Sequence, residues 1–238
     1  MIKLIVFDLD GTLAALGKGI EPQNLALLRA LEEAGARVAI CSGKPTYYLC
    51  GFMRQVGLKV PILVGENGAV IQMGVDLPPR EYFVAPYSDA AKRSIRLLRG
   101  RIEEAVPGMW YQPNEVGLTP FPRNDAEFDA VQGVIDALKA EIADVIVYRH
   151  CDSFDITPEG ITKKSGLARL GKLLGISAEE TVAVGDGVND YPMFEYAGHS
   201  VGVNVKAASR VDVNFTGIGE ALQYLLKIMK KQEGCSQP

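Results

Sequence analysis

Two carboxylates stand where an apolar strand should leave the core. The chain opens Met1-Ile-Lys-Leu-Ile-Val-Phe7 and breaks at once into Asp8-Leu9-Asp10-Gly11-Thr12. Residues 2–7 are a short apolar run rich in β-branched side chains, which predicts a buried strand. A carboxylate at the end of such a strand is costly unless it is paired or holds a metal. Gly11 lets the chain turn sharply straight after the two acids. The rest of the chain therefore has to bring partners to Asp8 and Asp10.

The elements that follow supply a framework for this. A helical pattern starts at Glu21-Pro22, carries Leu25, Leu28 and Leu31 on one face and meets Gly35 at its end. A second strand over residues 37–41 ends in Ser42-Gly43-Lys44-Pro45. A helix over 45–56 stops at Gly57, and a third strand covers 61–64. This alternation predicts a parallel sheet covered by helices. Asn67-Gly68 between apolar runs signals a hairpin. Residues 74–79 read as a loop, and tandem Pro78-Pro79 mark a boundary.

The order then changes. Residues 81–157 read as a helix (88–105), strands within 109–121, a helix (124–142) and two strands (144–149 and 153–157). That order predicts a small open-faced sheet with helices on one side. The parallel pattern resumes with a helix from Lys163 to Leu174, ended by Gly175. A strand at 181–184 runs into Gly185-Asp186-Gly187-Val188-Asn189-Asp190. Strands at 200–203 and 211–214, a helix at 219–230 and a polar tail at 232–238 complete the chain. The expected fold is α/β: a Rossmann-like parallel-sheet core from residues 1–80 and 158–238, with a smaller α+β domain, residues 81–157, inserted into it.

Composition excludes several functions. The net charge is −4, from 25 basic and 29 acidic residues, which argues against nucleic acid or an anionic membrane as partner. No apolar run approaches a membrane span and no signal peptide is evident. The cysteines, Cys41, Cys50, Cys151 and Cys235, form no CxxC pair, which fits a reducing, cytoplasmic setting and argues against a zinc or thioredoxin-like site. An anionic substrate would need a local positive site to offset the overall field.

Three strands end in polar clusters: Asp8 with Asp10, Ser42, and Asp186 with Asp190. In open α/β sheets ligands bind beyond the carboxyl ends of strands, so the clusters should meet at one edge. Converging carboxylates repel, and a hard divalent cation such as Mg2+ resolves that repulsion. Lys163 and Ser42 would add the charge and the hydroxyl that a phosphate needs.

The set resembles the haloacid dehalogenase superfamily of phosphatases. Asp8-Leu-Asp10-Gly-Thr12 is similar to its first motif, Ser42 to its second, Lys163 in Gly160-Ile-Thr-Lys163 to its third, and Gly185-Asp186-Gly-Val-Asn189-Asp190 to its fourth. Asn67-Gly68 and the insert resemble the subclass with a type C2B cap, which includes sucrose-phosphate phosphatase, archaeal-type phosphoglycolate phosphatase and phosphomannomutase. The resemblance implies Asp8 as nucleophile and Asp10 as the acid and base. It implies Mg2+ held by Asp8, the Asp10 carbonyl and Asp186, with Asp190 reaching it directly or through water. Thr12 would steady Asp10. Ser42, Gly43, Lys163 and Asn189 would hold phosphoryl oxygens. Two departures stand out. Gly43-Lys44 replaces the common Gly-Arg, turning a bidentate contact into a point charge. Lys163 is followed by Lys164 where many relatives carry glycine.

Other motifs read as structure. Asp8 cannot start a calcium loop, because the glycine comes too early and position twelve is Gly19. Ser42-Gly43-Lys44-Pro45 lacks the upstream glycine of a P-loop, and Gly217-Ile-Gly219 reads as a helix start. Lys92, Arg93, Arg96, Arg99 and Arg101 form a solvated helix face, and His150 and His199 are lone histidines outside the implied chemistry. The expected function is Mg2+-dependent hydrolysis of a small phosphorylated metabolite, a sugar phosphate or phosphoglycolate, through an aspartyl-phosphate. Phosphotransfer of the phosphomannomutase kind, or non-catalytic binding of a phospholigand, are the alternatives.

Overall fold

A computed structural model describes residues 1–235 of the chain. It divides into two compact units, one formed by Met1–Phe83 with the chain from Thr162 onward, the other by Val84–Ile161. The first unit holds β1 (Leu4–Phe7), α1 (Pro22–Glu33), β2 (Arg37–Cys41), α2 (Thr46–Arg54), β3 (Ile62–Gly65), β4 (Val70–Met73) and β5 (Glu81–Val84), which runs into the boundary. The second unit holds α3 (Asp89–Ala105), β6 (Trp110–Gln112), β7 (Thr119–Phe121), α4 (Asp125–Ala137), β8 (Val145–Arg149) and β9 (Phe154–Pro158). The first unit then continues with α5 (Lys163–Leu174), β10 (Thr181–Gly185), α6 (Tyr191–Tyr196), β11 (His199–Val203), β12 (Val213–Phe215) and α7 (Ile218–Cys235).

One eight-stranded sheet, in the order β12-β11-β10-β1-β2-β3-β4-β5, organises the first unit. The strands from β12 to β3 are parallel, and β4 returns antiparallel to β3. Both faces are covered at the centre of the sheet, so β1, β3 and, after their first residues, β2 and β10 are apolar and buried. Ile5 and Phe7 of β1 join the side that α1, α2 and α7 pack on, whereas Leu4 and Val6 join the side of α5 and α6. Fully burying such side chains contributes roughly 1.5–3 kcal/mol each. The chain leaves β1 toward β2 and β3 on one side and later fills β10, β11 and β12 on the other. The direction of strand filling therefore reverses at β1 and β10, which is where an open α/β sheet forms its binding crevice.

Several boundaries differ from the sequence reading. β5 falls inside the expected insert, yet it is the eighth strand of the large sheet. The insert forms two two-stranded ladders, β6-β7 and β8-β9, joined by the single bridge Leu118–Ile156, where one small sheet was expected. Helix α4 ends at Ala137, earlier than residue 142. The good helix formers after it keep helical hydrogen bonding, with Ile142 N–H donating to the Leu138 carbonyl at 3.0 Å, until Asp144 turns left-handed at φ 57° to enter β8. Helix α7 extends through Cys235, into the stretch read as a tail, and residues 236–238 lie outside the described residues. No described helix is long and apolar enough to cross a membrane.

The second unit has its own core, in which Leu98 and Ile102 of α3, Val131 and Ile135 of α4, and Phe154 and Ile156 of β9 are buried together. Its helices begin where their cap residues dictate. The Ser88 hydroxyl accepts from Ala91 N–H at 3.0 Å, and the Asn124 side chain accepts from Glu127 N–H at 3.0 Å.

Candidate active site

The site lies beyond the ends of the two adjacent central strands. Asp8 N–H donates to the Val184 carbonyl at 2.9 Å, which carries the β1–β10 ladder one residue past Phe7. Asp8 is thereby held against the chain that leads to Asp186. Gly11 takes φ 91°, and a β-carbon there would lie 2.5 Å from Asp186 Oδ2, so both the turn and the close approach require glycine. Asp190 tucks back under the end of β10, and a β-carbon on Gly185 would meet its side chain at 2.6 Å.

Lys163 is the first residue of α5. The helix begins there because Thr162 caps it: the Thr162 hydroxyl accepts from Ser165 N–H at 3.2 Å and the Ser165 hydroxyl accepts from Thr162 N–H at 3.0 Å. The Lys163 ammonium donates to Asp8 Oδ1 at 2.6 Å and to Asp190 Oδ1 at 2.7 Å. All three side chains are at most 5% exposed. Lys164, the other lysine of the motif, points to solvent and pairs with Glu195. Asp190 Oδ2 accepts from the N–H groups of Asp186 and Gly187 at 3.0 and 3.1 Å, so both Asp190 oxygens are engaged by the protein.

Asp8 Oδ2 is different. It is buried and, among the described residues, has no hydrogen-bond partner, an expensive condition for an ionised oxygen. Asp8, Asp186 and Asp190 each offer an oxygen within 4.8 Å of the others, a spacing at which three acids can share one cation. An orphaned carboxylate oxygen on a residue grouped with two further carboxylates suits a hard, oxygen-seeking divalent ion. The Asp10 carboxylate stands outside this group.

The electrostatics follow from burial. Desolvation, only partly offset by Lys163, pushes the Asp8 carboxyl up to about 6. Desolvation also raises Asp186, against the hydrogen bond from Thr12. Burial works against the Lys163 ammonium, but the carboxylates of Asp8 and Asp190 outweigh it and hold its pKa above the ordinary lysine value. Cys41, at the end of β2, is pushed up to about 12 by burial and stays a thiol.

Ser42 follows β2 and is buried. Its N–H donates to the Val64 carbonyl at 2.9 Å, its carbonyl accepts from Asn67 N–H at 3.0 Å, and its hydroxyl accepts from Lys44 N–H at 3.3 Å. The expected hairpin at Asn67-Gly68 is present between β3 and β4, and its tip is conformationally unusual. Glu66, Asn67 and Gly68 take φ 51°, 54° and 103° in succession. This left-handed turn has neighbours on two sides. Glu66 N–H donates to the Lys44 carbonyl at 3.0 Å, while Gly68 lies so close to α5 that a β-carbon on Gly166 would meet its Cα at 2.6 Å. The Arg169 guanidinium donates to the Gly68 carbonyl.

One expectation changes. Thr12 donates to Asp186 Oδ1 at 2.8 Å and does not steady Asp10, because Gly11 turns the chain toward the end of β10. Asn189 is exposed, and its side-chain oxygen lies where a β-carbon on Gly187 would come within 2.6 Å of it. Gly43 is half-buried, with the Asn67 amide 3.4 Å from the place a β-carbon would occupy. Two residues outside the expected site set gain interest from the structure. Lys44 brings its ammonium to 4.0 Å from Asp10 Oδ2. Asn67 reaches the Ser42 loop, and the paired Asn-Gly, which favours left-handed backbone, was its only signal in the sequence.

The chain matches the model of a family described as haloacid dehalogenase-like hydrolase over residues 5–82 and 121–211. It is 25% identical to a phosphoglycolate phosphatase of Methanococcoides burtonii, over 95% of this chain and 97% of that protein. It is 26% identical to a 5-amino-6-(5-phospho-D-ribitylamino)uracil phosphatase of Escherichia coli, over 97% of each. Its fold superposes on a haloacid dehalogenase-like hydrolase from Bacteroides thetaiotaomicron with a TM-score of 0.77 at 20% identity, covering 94% of this chain and 100% of that one.

Proposed function

The chain belongs to the haloacid dehalogenase-like hydrolase family and is a phosphatase, and from that premise we propose that it hydrolyses a small phosphorylated metabolite, a sugar phosphate or phosphoglycolate, with Mg2+ among its aspartates. The observation that carries this reading is the buried Asp8, fixed by Lys163 through one oxygen and left unpaired at the other. Such a carboxylate is oriented but not saturated, which is what a nucleophile beside a cation requires.

In this reading Asp8 attacks phosphorus, forming an Asp8–O–P bond as the ester P–O bond breaks. Asp10 gives its proton to the departing alkoxide. It then takes a proton from the water that attacks the acyl phosphate, which releases inorganic phosphate and restores Asp8. Asp10 suits both steps because it is more exposed than Asp8, with its side chain 26% accessible. Lys163 pairs with Asp8 and Asp190 and, with Ser42, Gly43 and Asn189, accommodates phosphoryl oxygens. Asp8, Asp186 and the Asp10 carbonyl would hold Mg2+, with Asp190 reaching it directly or through water while it organises the loop. When bound, the ion would neutralise charge on the transferring phosphoryl group. Catalysis then rests on positioning and charge, and no histidine or cysteine takes part.

The test is a panel of phosphate esters assayed with and without Mg2+. Phosphate release that depends on the metal and disappears in Asp8→Asn is expected. Release from no ester would favour a binding protein, an isomerised phosphate ester would favour phosphotransfer, and appreciable turnover by Asp8→Asn would remove Asp8 from the nucleophile role.

A further inference from the structure

Lys44 is the second cation of the site, and its setting differs from that of Lys163. Lys163 is buried and committed to two carboxylates. The Lys44 side chain is 30% accessible, and its ammonium lies 4.0 Å from Asp10 Oδ2. Among the described residues it is the only cation within ion-pair distance of Asp10. Its main chain is held from both sides: its N–H donates to the Ser42 hydroxyl at 3.3 Å and its carbonyl accepts from Glu66 N–H at 3.0 Å. Gly65 makes room for that arrangement, since a β-carbon there would sit 2.9 Å from the Lys44 carbonyl. The fold thus anchors the backbone of Lys44 at the site while its four-carbon stem and charge remain free to adjust.

Charge balance leaves this ammonium free for a task. Lys163 faces Asp8 and Asp190, and together with Asp186 these three carboxylates leave two negative charges over, matching one divalent cation, so the balance does not draw on Lys44 when Asp10 carries the proton it gives to the leaving oxygen. A long, half-solvated ion pair such as Lys44–Asp10 is weak and can be exchanged for a better one. We infer that Lys44 is a specificity-determining residue that reads a carboxylate on the alcohol side of the phosphate ester. The inference rests on the proposed function, in which Asp10 attends the leaving oxygen. A hydrogen bond from Asp10 to that oxygen spans about 2.7 Å. The Lys44 ammonium therefore lies within reach of a carboxylate one carbon away from the ester oxygen. One ammonium matches one carboxylate charge, whereas a second phosphate dianion would leave a charge uncompensated. A neutral hydroxyl at the same place offers the ammonium no ion pair.

The experiment compares 2-phosphoglycolate with 2-hydroxyethyl phosphate, which differ by a carboxylate against a hydroxymethyl group, with p-nitrophenyl phosphate as a third ester. All are assayed with Mg2+ on the wild type, Lys44→Gln and Lys44→Arg. The wild type is expected to favour phosphoglycolate in kcat/KM by about tenfold or more, a factor of ten being ~1.4 kcal/mol. Lys44→Gln should collapse that ratio and weaken product inhibition by glycolate, and Lys44→Arg should keep most of both. Matching melting temperatures would exclude misfolding as the cause. A wild-type ratio near one overturns the inference while leaving the phosphatase reading intact. So does a ratio unchanged in Lys44→Gln, including uniform loss on all three esters. Release from none of the esters by the wild type overturns both.

Discussion

Thr12 donates a hydrogen bond to Asp186 at 2.8 Å across 174 residues of sequence. The two residues follow neighbouring parallel strands, β1 and β10, and the left-handed turn at Gly11 brings Thr12 back to the end of β10. The bond occupies Asp186 Oδ1 and orients the carboxylate toward the group it forms with Asp8 and Asp190. Groups that orient a metal ligand typically matter by about 10–100-fold in affinity. Thr12→Val, which keeps the shape and removes the donor, is therefore expected to weaken Mg2+ binding by about tenfold in a calorimetric titration. Unchanged affinity would mean that the bond is incidental.

Among the described residues, Lys163 is the only cation paired with Asp8 and Asp190, in a setting nearly closed to water. Lys163→Met leaves two carboxylates buried and facing each other. Breaking a buried pair this way costs about 3–5 kcal/mol. Urea denaturation of the metal-free variant should show a loss of that size, together with loss of turnover. A variant as stable as the wild type would mean that the acids find other compensation.

Gly11 is required both by its φ of 91° and by the 2.5 Å that would separate a β-carbon from Asp186. Gly11→Ala must move either the turn carrying Asp10 and Thr12 or the Asp186 carboxylate. A strained left-handed residue alone costs about 1–3 kcal/mol. The expected result is a lower melting temperature together with at least about tenfold weaker Mg2+ binding, because the Thr12–Asp186 contact lies across the same gap. Wild-type metal affinity in this variant would show that the approach of the two loops is not needed.

Asp8 supplies a pH signature. Its carboxyl titrates at about 6 in the folded protein against 3.8 for the free group, so the fold holds this proton more tightly than the unfolded chain does. The stability this contributes is complete below about pH 4 and is lost as the pH rises through about 6. A divalent cation takes the ionised form, so Mg2+ should raise the melting temperature more at about pH 7 than at about pH 5. Equal shifts at the two pH values would remove Asp8 from the metal-binding set.

Much of this was legible in the chain itself. Two acids at the end of an apolar strand, a hydroxyl at the end of the next and two more acids at the end of a later one are local patterns. Parallel α/β architecture converts such strand-end residues into neighbours by rule. β5 was not legible, because Glu81–Val84 alternates weakly and gains its place only by joining the sheet edge at β4, across a loop that the prolines marked as a boundary. The two ladders of the insert were not legible either, since pairing partners are set by packing rather than by local propensity.

Sequence alone determined which residues carry charge at the strand ends and that an anionic ligand would need Lys163 or a cation beside them. Only the tertiary structure decided how those charges are shared. It gave Asp190 to Lys163 and backbone amides, left one oxygen of Asp8 unpaired, turned Thr12 to Asp186 and set Lys44 beside Asp10. The physical reason is that hydrogen bonds and ion pairs depend on distances of a few tenths of an ångström. Those distances are fixed by strand register, by glycine-permitted close approaches and by burial, and a linear order of residues contains none of them.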